Sequence, residues 1–459
     1  MSLKEQVVLP TLEQRRRFLK FAVMGGAVAA LPEGVALGDH ADLRRPGSRG
    51  FWRRLKKSFL LDRDFVYMNI GTTGSTPRAV LDSYDAYNRL VASDPWSMGG
   101  EWGTFPYTSD LVARVAPQFG AAGHEIVLSR NTTDGMCSVI EGLNLQSGDE
   151  VLYSHHEHVA AESPLYVMQQ RHGVKLVPVE IPVLDATEDA YVDAFARAVT
   201  PDTRLIVFSH ITYKTGARLP AKRICKEVAV PNRIPTLIDG AHAVGMVNLD
   251  FHDIDCDFYA GSGHKWQCGP GATGILYVRD NLERVRAFWS DRSDVFWPVN
   301  SSLAEFPFFG IQVQMQYVGN DNYPAKRALA DVCDLWDEIG RERIEQRVLD
   351  LSAYCKQLLT EGFGDSLVLY SPSERGLSSG ITACNPFPDQ TDITTLDTFR
   401  DRLRDEYGYI VRTTDFKLSL DDPFEVHGLR ISTHLFHTER DVEGLVESML
   451  DLYARMMRG

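Results

Sequence analysis

Short apolar runs alternate with stretches of helical periodicity between about residues 66 and 322. The runs are rich in Val, Ile, Leu and aromatic residues, which is typical of strands buried on both faces. Strands that alternate with helices predict a mostly parallel sheet covered on both sides. The predicted strands span residues 125–129, 150–154, 175–180, 205–210, 236–239, 258–262 and 274–278. The predicted helices between them span residues 132–143, 160–172, 189–199 and 221–230.

The pattern changes after residue 322. Residues 323–362 have the periodicity of one long amphipathic helix with little interruption. Short strands are predicted around residues 367–370, 379–384, 409–412 and 429–432, and a final helix over 439–457. We therefore expect a large α/β domain at 66–322 and a smaller C-terminal α+β domain at 323–459.

The first 38 residues have the pattern of an export signal. Arg15 and Arg16 precede an uncharged apolar run at 21–31 that is too short to cross a bilayer, and small residues follow at 34, 36 and 38. This resembles a twin-arginine signal, although Gln14 stands where Ser or Thr is usual. It predicts a periplasmic protein that the twin-arginine translocation machinery exports. The alternative is a basic or disordered N-terminus of a cytoplasmic protein.

Residues 39–65 are basic and mixed in character and predict a linker with a first helix. The whole chain of 459 residues has a net charge of −14, which argues against nucleic-acid binding because that needs clustered Lys and Arg. No stretch approaches the roughly 18 apolar residues of a membrane helix, so we expect no stable membrane insertion. The seven cysteines contain no CxxC pair, which indicates neither a disulfide framework nor a zinc site.

A carboxylate and a lysine stand at the ends of two predicted strands, where open α/β sheets bind their ligands. Asp239 closes the run 236–239, and Lys265 follows the run 258–262 within Ser262-Gly263-His264-Lys265. Pyridoxal 5′-phosphate requires such a pair, because a lysine forms the Schiff base and an acid keeps the pyridine nitrogen protonated. The sequence therefore indicates a pyridoxal phosphate enzyme with Lys265 as the attachment point.

Five motifs in this order resemble those of the class V aminotransferase family of fold-type I enzymes, over residues 66 to about 450. The motifs are Asn131-Thr132-Thr133, Ser154-His155-His156-Glu157-His158, Ser209-His210, Asp239-Gly240-Ala241-His242 and Ser262-Gly263-His264-Lys265. The resemblance implies a mostly parallel seven-stranded sheet in the large domain, a smaller C-terminal domain and a homodimer with the active site at its interface.

The resemblance also implies a role for each motif residue. By this resemblance, the phosphate would contact Thr132, Thr133, Ser262 and His264. The ring would have His158 on its face, Asp239 at its nitrogen and His242 near its hydroxyl. The aldehyde carbon would be bonded to Lys265. Arg430 would bind the substrate carboxylate, with Asn69 as a second substrate contact. Asn320 stands where the family has a Thr that reaches the partner's phosphate.

Other interpretations remain open at these positions. His155, His156 and His158 could together bind a metal ion, although no further ligand cluster accompanies them. Arg430 could form a structural ion pair, and Lys265 could be an ordinary surface lysine. A catalytically silent binding protein on the same fold is a further alternative, against which the combination of Lys265 and Asp239 counts.

The segment between Arg412 and Arg430 bears on the reaction. Desulfurases of this family carry a catalytic cysteine there, and this chain has none, so sulfur transfer by that route is not expected. Tyr213 and His242 replace an Asn and a Gln of the desulfurases, which favours the branch that resembles isopenicillin N epimerase. We expect transamination or related tailoring of an amino acid or of an amino-acid side chain in a peptide. The alternatives are an epimerase or racemase and a cytoplasmic aminotransferase.

Export would place the enzyme where free keto acids and amino donors are scarce. A peptide that is already in the periplasm is then the more natural substrate. Periplasmic enzymes of this branch that tailor the siderophore pyoverdine fit this description, which makes siderophore maturation a hypothesis for this chain.

Overall fold

The computed structural model describes residues 50–94 and 108–458. The export signal at 1–38 and the first part of the linker, 39–49, lie outside the described residues and stay predictions. The first described helix, α1 (Phe51–Lys56), falls in the segment where a first helix is expected. Within the described ranges, no helix is long and apolar enough to cross a membrane.

A seven-stranded sheet forms the centre of the large domain. The first eight strands are β1 (Val66–Tyr67), β2 (Ile126–Val127), β3 (Glu150–Ser154), β4 (Lys175–Val179), β5 (Thr203–Ser209), β6 (Thr236–Asp239), β7 (Phe258–Ser262) and β8 (Gly274–Val278). Seven of them form one sheet in the order β2-β8-β7-β6-β5-β3-β4. All neighbours are parallel except β8, which is antiparallel to β2 and β7. The predicted mostly parallel seven-stranded sheet is confirmed.

Apolar cores on both faces of this sheet are completed by helices. These helices are α2 (Arg78–Ser93), α3 (Thr108–Val115), α4 (Thr132–Gly142), α5 (Val159–His172), α6 (Glu188–Ala198), α7 (Ala221–Arg223, continued by a π-helix at Ile224–Ala229), α8 (Phe251–Ile254), α9 (Glu283–Phe288) and α10 (Ile311–Gln316). In β5, Ile206 and Phe208 belong to one core, whereas Leu205 and Val207 belong to the other. Since successive side chains point to opposite faces, a strand covered on both sides is apolar throughout.

The long helical stretch after residue 322 consists of two helices. They are α11 (Tyr323–Ile339) and α12 (Arg341–Phe363), and they meet at Gly340, which has a φ of 95°. The prediction of one little-interrupted helix over 323–362 is wrong at this residue, because the backbone there leaves the helical region in a direction that glycine favours. Leu329 and Val332 of α11 also join the core of the large domain.

The small domain is built on an antiparallel sheet. Its elements after α12 are β9 (Val368–Leu369), β10 (Ile381–Asn385), α13 (Ile393–Tyr407), β11 (Tyr409–Ile410), β12 (Arg412–Phe416), β13 (Val426–Ser432) and α14 (Glu439–Met456). Four of its strands pair in the order β12-β13-β10-β9. Leu351, Phe399 and Leu445 are among the buried residues of its core. The smaller C-terminal domain that the sequence predicts is confirmed.

A segment near the start of the described chain connects the two domains. Strand β1 pairs in parallel with β11 of the small domain, and Met68 lies in the small-domain core. The next residues, 69–74, cross to the large domain, where the backbone N–H of Gly74 donates to the carbonyl oxygen of His264 at 2.7 Å. This crossing segment, residues 69–74, places Asn69 and Thr72 beside the carboxyl ends of the parallel strands.

Candidate active site

A cleft of about 300 Å³ lies at the carboxyl edge of the central sheet. Its large-domain wall comes from positions that follow or end successive strands: His158 after β3, Tyr213 after β5, Asp239 at the end of β6 and Lys265 after β7. Parallel strands bring these residues together because their carboxyl ends share one edge of the sheet. The small domain contributes the side chains of two arginines, and the crossing segment contributes Gly71 and Thr72.

Most of the sequence-predicted site residues line this cleft. They are Thr132, Thr133, His158, Asp239, His242, Ser262, His264, Lys265 and Arg430. Asn69 lies directly behind the wall, where its Oδ1 accepts a hydrogen bond from Nη2 of Arg430 at 3.3 Å. Asn320 is exposed and does not line the cleft of its own chain.

The start of helix α4 provides donors for an anion. The side chain of Asn131 accepts a hydrogen bond from the backbone N–H of Asp134 at 2.8 Å and so caps the helix. The N–H groups of Thr132 and Thr133 stand in the first turn, where no intrahelical acceptor exists and the helix dipole is positive. Thr132 Oγ1 also forms a 2.7 Å hydrogen bond with Ser262 Oγ. Hydroxyls from two elements thus meet at a helix N-terminus, an arrangement that suits a phosphate.

Burial governs the ionisation of Lys265. It lowers the pKa of the amine to about 8, with further lowering from Arg430 and Arg412 and opposition from Asp239. A lysine with this pKa is about one-tenth neutral at pH 7, far more than an ordinary lysine, and the neutral amine is the form that attacks a carbonyl carbon. The interpretation of Lys265 as an ordinary surface lysine does not fit this environment.

Asp239 is a buried carboxylate at the end of β6. Its Oδ1 accepts a hydrogen bond from the backbone N–H of Ala241 at 2.9 Å. Burial raises the pKa of this carboxyl, while the Ala241 N–H and the charge of Lys265 act in the opposite direction. In the described chain Asp239 has no ion-pair partner, so a cationic group within the cleft would stabilise its ionised form.

His158 and His242 enter the cleft as neutral imidazoles. The pKa of His158 falls to about 4 through burial and nearby cations, and burial lowers that of His242 well below its usual value. Their Nδ1 atoms accept hydrogen bonds at 3.1 Å, from the Ala160 N–H and from Nε1 of Trp266 respectively. Each ring therefore carries its proton on Nε2. A neutral His158 can pack on the face of a heteroaromatic ring, and His242 can donate to a ring oxygen.

Arg430 is a buried cation that has no anionic partner in the described part of the chain. Its Nη1 donates to the carbonyl oxygen of Tyr213 at 3.1 Å, and its Nη2 also reaches Thr72 Oγ1 at 3.3 Å. Its buried Nε has no hydrogen-bond partner at residues 50–94 and 108–458. Among the described residues no carboxylate pairs with Arg430, so the alternative of a structural ion pair is not supported. A buried guanidinium in this condition fits a carboxylate of a ligand.

Among the described residues, the three neighbouring histidines do not make up a group with the spacing of metal ligands. His155 Nδ1 accepts from the backbone N–H of Ile181, and His156 Nε2 lies 2.9 Å from the carbonyl oxygen of Lys417. In the described ranges, the grouping with the spacing of a metal site lies elsewhere, at His124, Glu125 and Asp280. The Glu125 carboxylate there already accepts backbone N–H groups from Ala122 and Asp280.

These donors together fit pyridoxal 5′-phosphate. The first turn of α4 and the adjacent hydroxyls suit the phosphate, and the buried Asp239 suits a protonated ring nitrogen. The buried Nδ1 of His264 has no hydrogen-bond partner among the described residues, so it can serve a group bound in the cleft. Lys265 and Asp239 both line the cleft and form no ion pair with each other.

Gly71 and Arg412 also line the cleft and are not predicted from the sequence. A Cβ added to Gly71 would lie 3.2 Å from Nη2 of Arg430 and 3.3 Å from Cε1 of His242, so a larger residue would require these side chains to shift. The signal available in the sequence is the pair of glycines and threonines at 71–74. Arg412 carries no comparable signal, since its place opposite Arg430 depends on a strand register that the sequence pattern does not reveal.

Comparison with known proteins agrees with this geometry. The family model for the class V aminotransferases matches residues 66–445. The chain belongs to this family. Isopenicillin N epimerase from Amycolatopsis lactamdurans is 29% identical, over 87% of this chain and 98% of its own length. A probable cysteine desulfurase from Vibrio cholerae is 26% identical, over 84% of this chain and 92% of its own.

Solved structures share the fold of this class V chain. One is the cystine C–S lyase C-DES, solved with glycine covalently linked to its pyridoxal phosphate cofactor. The comparison with this chain has a TM-score of 0.69 and 22% identity, and it covers 86% of this chain and 99% of that one. Another is a cysteine desulfurase from Thermococcus onnurineus, with a TM-score of 0.70 and 20% identity over 88% of this chain and 98% of its own. The expected fold-type I architecture is confirmed.

Glu157 is buried near Asp239 and outside the cleft lining. Its carboxylate accepts hydrogen bonds from the N–H and the hydroxyl of Ser209, both at 2.8 Å, and from the hydroxyl of Ser154. Burial, together with repulsion from Asp239, raises the pKa of Glu157 to about 7. Folding therefore favours the protonated form of this group.

We predict that Glu157→Gln changes how stability depends on pH. For a carboxyl whose folded pKa lies above its unfolded value, stability is highest below the unfolded value of 4.5 and is lost as pH rises to about 7. Glutamine has no such ionisation, so the variant should gain up to about 3 kcal/mol relative to wild type across this window. Urea unfolding at a series of pH values measures the difference, with the exposed Glu374→Gln as control. Parallel curves for wild type and Glu157→Gln would contradict the prediction.

Proposed function

We propose that this protein is a pyridoxal phosphate enzyme that performs transamination, or related tailoring, on an amino acid or on an amino-acid side chain of a peptide. The observation that carries the proposal is the meeting of Lys265, Asp239 and the start of α4 in one cleft. Pyridoxal phosphate, when bound, supplies an electron sink for the charge that develops at the substrate α-carbon. Membership of the class V family supports the same cofactor.

Different side chains of the cleft have different roles in the proposed reaction. Thr132, Thr133 and Ser262 hold the phosphate and so fix the position of the ring. Asp239 keeps the ring nitrogen protonated, and His158 covers one face of the ring and excludes water from it. Lys265 would hold the cofactor through Nζ. Once the substrate amino group has replaced Nζ there, the freed amine can take or return the proton of the substrate α-carbon, because its lowered pKa makes it a base near neutral pH.

Arg430 orients the substrate. Its buried guanidinium can hold the α-carboxylate through two parallel hydrogen bonds, which fixes the direction of the α-carbon–hydrogen bond relative to the ring. The segment between β12 and β13 contains no cysteine, and this supports a reaction other than sulfur transfer from that position.

Epimerisation is the second candidate function. The similarity to isopenicillin N epimerase supports it, and so does the place of Tyr213, whose ring meets that of His158 edge-on with 5.0 Å between centroids. Burial raises the pKa of Tyr213 to about 12, so its hydroxyl keeps its proton near neutral pH. A protonated hydroxyl in the wall could return a proton to the α-carbon from a side other than that of Lys265.

The cofactor can be tested by absorption. Purified wild-type protein with pyridoxal phosphate should show a band at about 410–430 nm that Lys265→Met lacks. Lys356→Met is a matched control, since burial also lowers the pKa of Lys356 to about 8 but this lysine lies outside the cleft. Transamination of a substrate should remove the band, and an added α-keto acid should restore it. A wild-type protein that stays colourless would refute the proposed function.

We further propose that the enzyme is exported folded and acts in the periplasm, where maturation of a peptide siderophore is a candidate role. A cofactor loaded in the cytoplasm can cross the membrane only with a folded carrier, which favours the twin-arginine route.

Replacement of Arg15 and Arg16 by Lys should move the protein from the periplasmic to the cytoplasmic fraction of a Gram-negative host. The readout is cell fractionation, with a cytoplasmic and a periplasmic marker as controls. Cytoplasmic wild-type protein would contradict export.

A homodimer is the assembly we propose. Trp297, Val299 and Phe308 are large apolar side chains exposed between α9 and α10, as is typical of a surface that another chain covers. Asn320 is exposed and does not line its own cleft, which is compatible with a contact to a partner's site.

Sedimentation should give twice the mass of one chain, and Phe308→Glu should give the single-chain mass. Phe424→Glu, at an exposed position of the small domain, is the control. A monomeric wild type would contradict this proposal.

A further inference from the structure

Two arginines face each other across the small-domain sheet. In the antiparallel register of β12 and β13, Arg412 is the direct partner of Arg430. Directly opposed residues of an antiparallel pair leave the sheet on the same face, and like charges in this arrangement destabilise it. Both side chains line the cleft, with Arg430 buried and Arg412 exposed at the opening.

The two guanidinium groups meet at a single hydroxyl. Nη1 of Arg412 donates to Thr72 Oγ1 at 3.5 Å, and Nη2 of Arg430 donates to the same oxygen at 3.3 Å. In the described part of the chain neither arginine has a carboxylate partner. Their mutual repulsion contributes to the pKa of Arg430, which burial and Arg412 lower to about 10. An anionic group of a ligand is therefore the remaining source of compensation.

The cofactor does not account for this charge. Its phosphate has separate donors in the first turn of α4 and in Ser262, and its ring nitrogen has Asp239. Asp239 is also the sole carboxylate among the described residues that line the cleft, against the cations Lys265, Arg412 and Arg430. The chain as a whole has a net charge of −14, so this concentration of positive charge is local to the substrate side of the cleft.

We propose that Arg412 binds a second carboxylate of the substrate while Arg430 binds the first, so that the substrate class is a dicarboxylic amino acid resembling glutamate or aspartate, free or within a peptide. The inference rests on the proposed function. Arg430 is buried and therefore suits the α-carboxylate beside the cofactor. Arg412 is exposed at the opening and suits the acidic group that extends away from it, where a peptide chain could also pass.

The substrate preference of the holoenzyme tests this assignment. Wild type should turn over glutamate in preference to glutamine, which has the same length and no side-chain charge. Arg412→Met should lower kcat/KM for glutamate about 10- to 100-fold, mainly through KM, and change that for glutamine by less than about threefold. Arg412→Lys should restore part of the glutamate activity, because it returns the charge without the planar pair of donors.

A nearby cation provides the matched control. Lys214 lies close to Tyr213 and donates to the carbonyl oxygen of Asp415 at 3.0 Å, but it does not line the cleft. Lys214→Met should leave the ratio of glutamate to glutamine activity unchanged. An equal loss of preference in Lys214→Met and Arg412→Met would indicate a general electrostatic effect and would overturn the assignment. Equal losses for glutamate and glutamine in Arg412→Met would also overturn it, since both arginines would then share one carboxylate.

A measurement without turnover separates this inference from the proposed function. Glutarate has two carboxylates and no amino group, so it can occupy both arginines without reacting. It should raise the Tm of the cofactor-loaded protein, whereas butyrate at the same concentration should not, and Arg412→Met should abolish the difference. If the absorption band is present and glutarate has no Arg412-dependent effect, the proposed function stands and the dicarboxylate assignment fails. If the band is absent, the proposed function itself fails.

Discussion

Desolvation at the carboxyl edge of the central sheet is the interaction on which the rest of the site depends. Burial moves the pKa of Lys265, Asp239 and His158 in the direction of the uncharged form in every case. A ring cofactor with an aldehyde and a basic nitrogen can use these states. A neutral amine can attack the aldehyde, a buried carboxyl can pair with the protonated nitrogen, and a neutral imidazole can pack on the ring. The burial of the sheet on both faces therefore stabilises the fold and also shifts the pKa values in the site. It does both because strands covered on both faces expose only their ends to a ligand.

Two of the three cations that line the cleft belong to the small domain. Arg430 and Arg412 come from neighbouring strands, and the crossing segment supplies the hydroxyl of Thr72 on which they converge. The large domain therefore carries the residues that suit the cofactor, and the small domain carries the two arginines that we propose bind the acidic groups of the substrate. This division lets the substrate preference change through β12 and β13 while the residues that hold the cofactor stay the same.

Sequence patterns predicted the positions of strands and helices well, but they did not predict which segments contact one another in the folded chain. Apolar runs such as 205–210 mark strands because burial on both faces leaves few polar positions, and Asp239 and Lys265 stand out because they end such runs. The break at Gly340 was not predicted, since an isolated glycine can also continue a helix at a modest cost. The contact of Arg412 with Thr72 and the place of Gly71 depend on strand register and on the path of the crossing segment, and both are tertiary features that local periodicity does not encode.

The pairing of β1 with β11 has a consequence for how the protein is made. Val66 pairs with Tyr409, and Asn69 reaches an arginine that lies 361 residues further along the chain. Contacts of such long range form late, because every residue up to Arg430 must first leave the ribosome and the two segments must then find each other. The substrate side of the cleft is thus completed only after Arg430 has been synthesised, so a shorter nascent chain has no finished pocket in which a metabolite could be trapped.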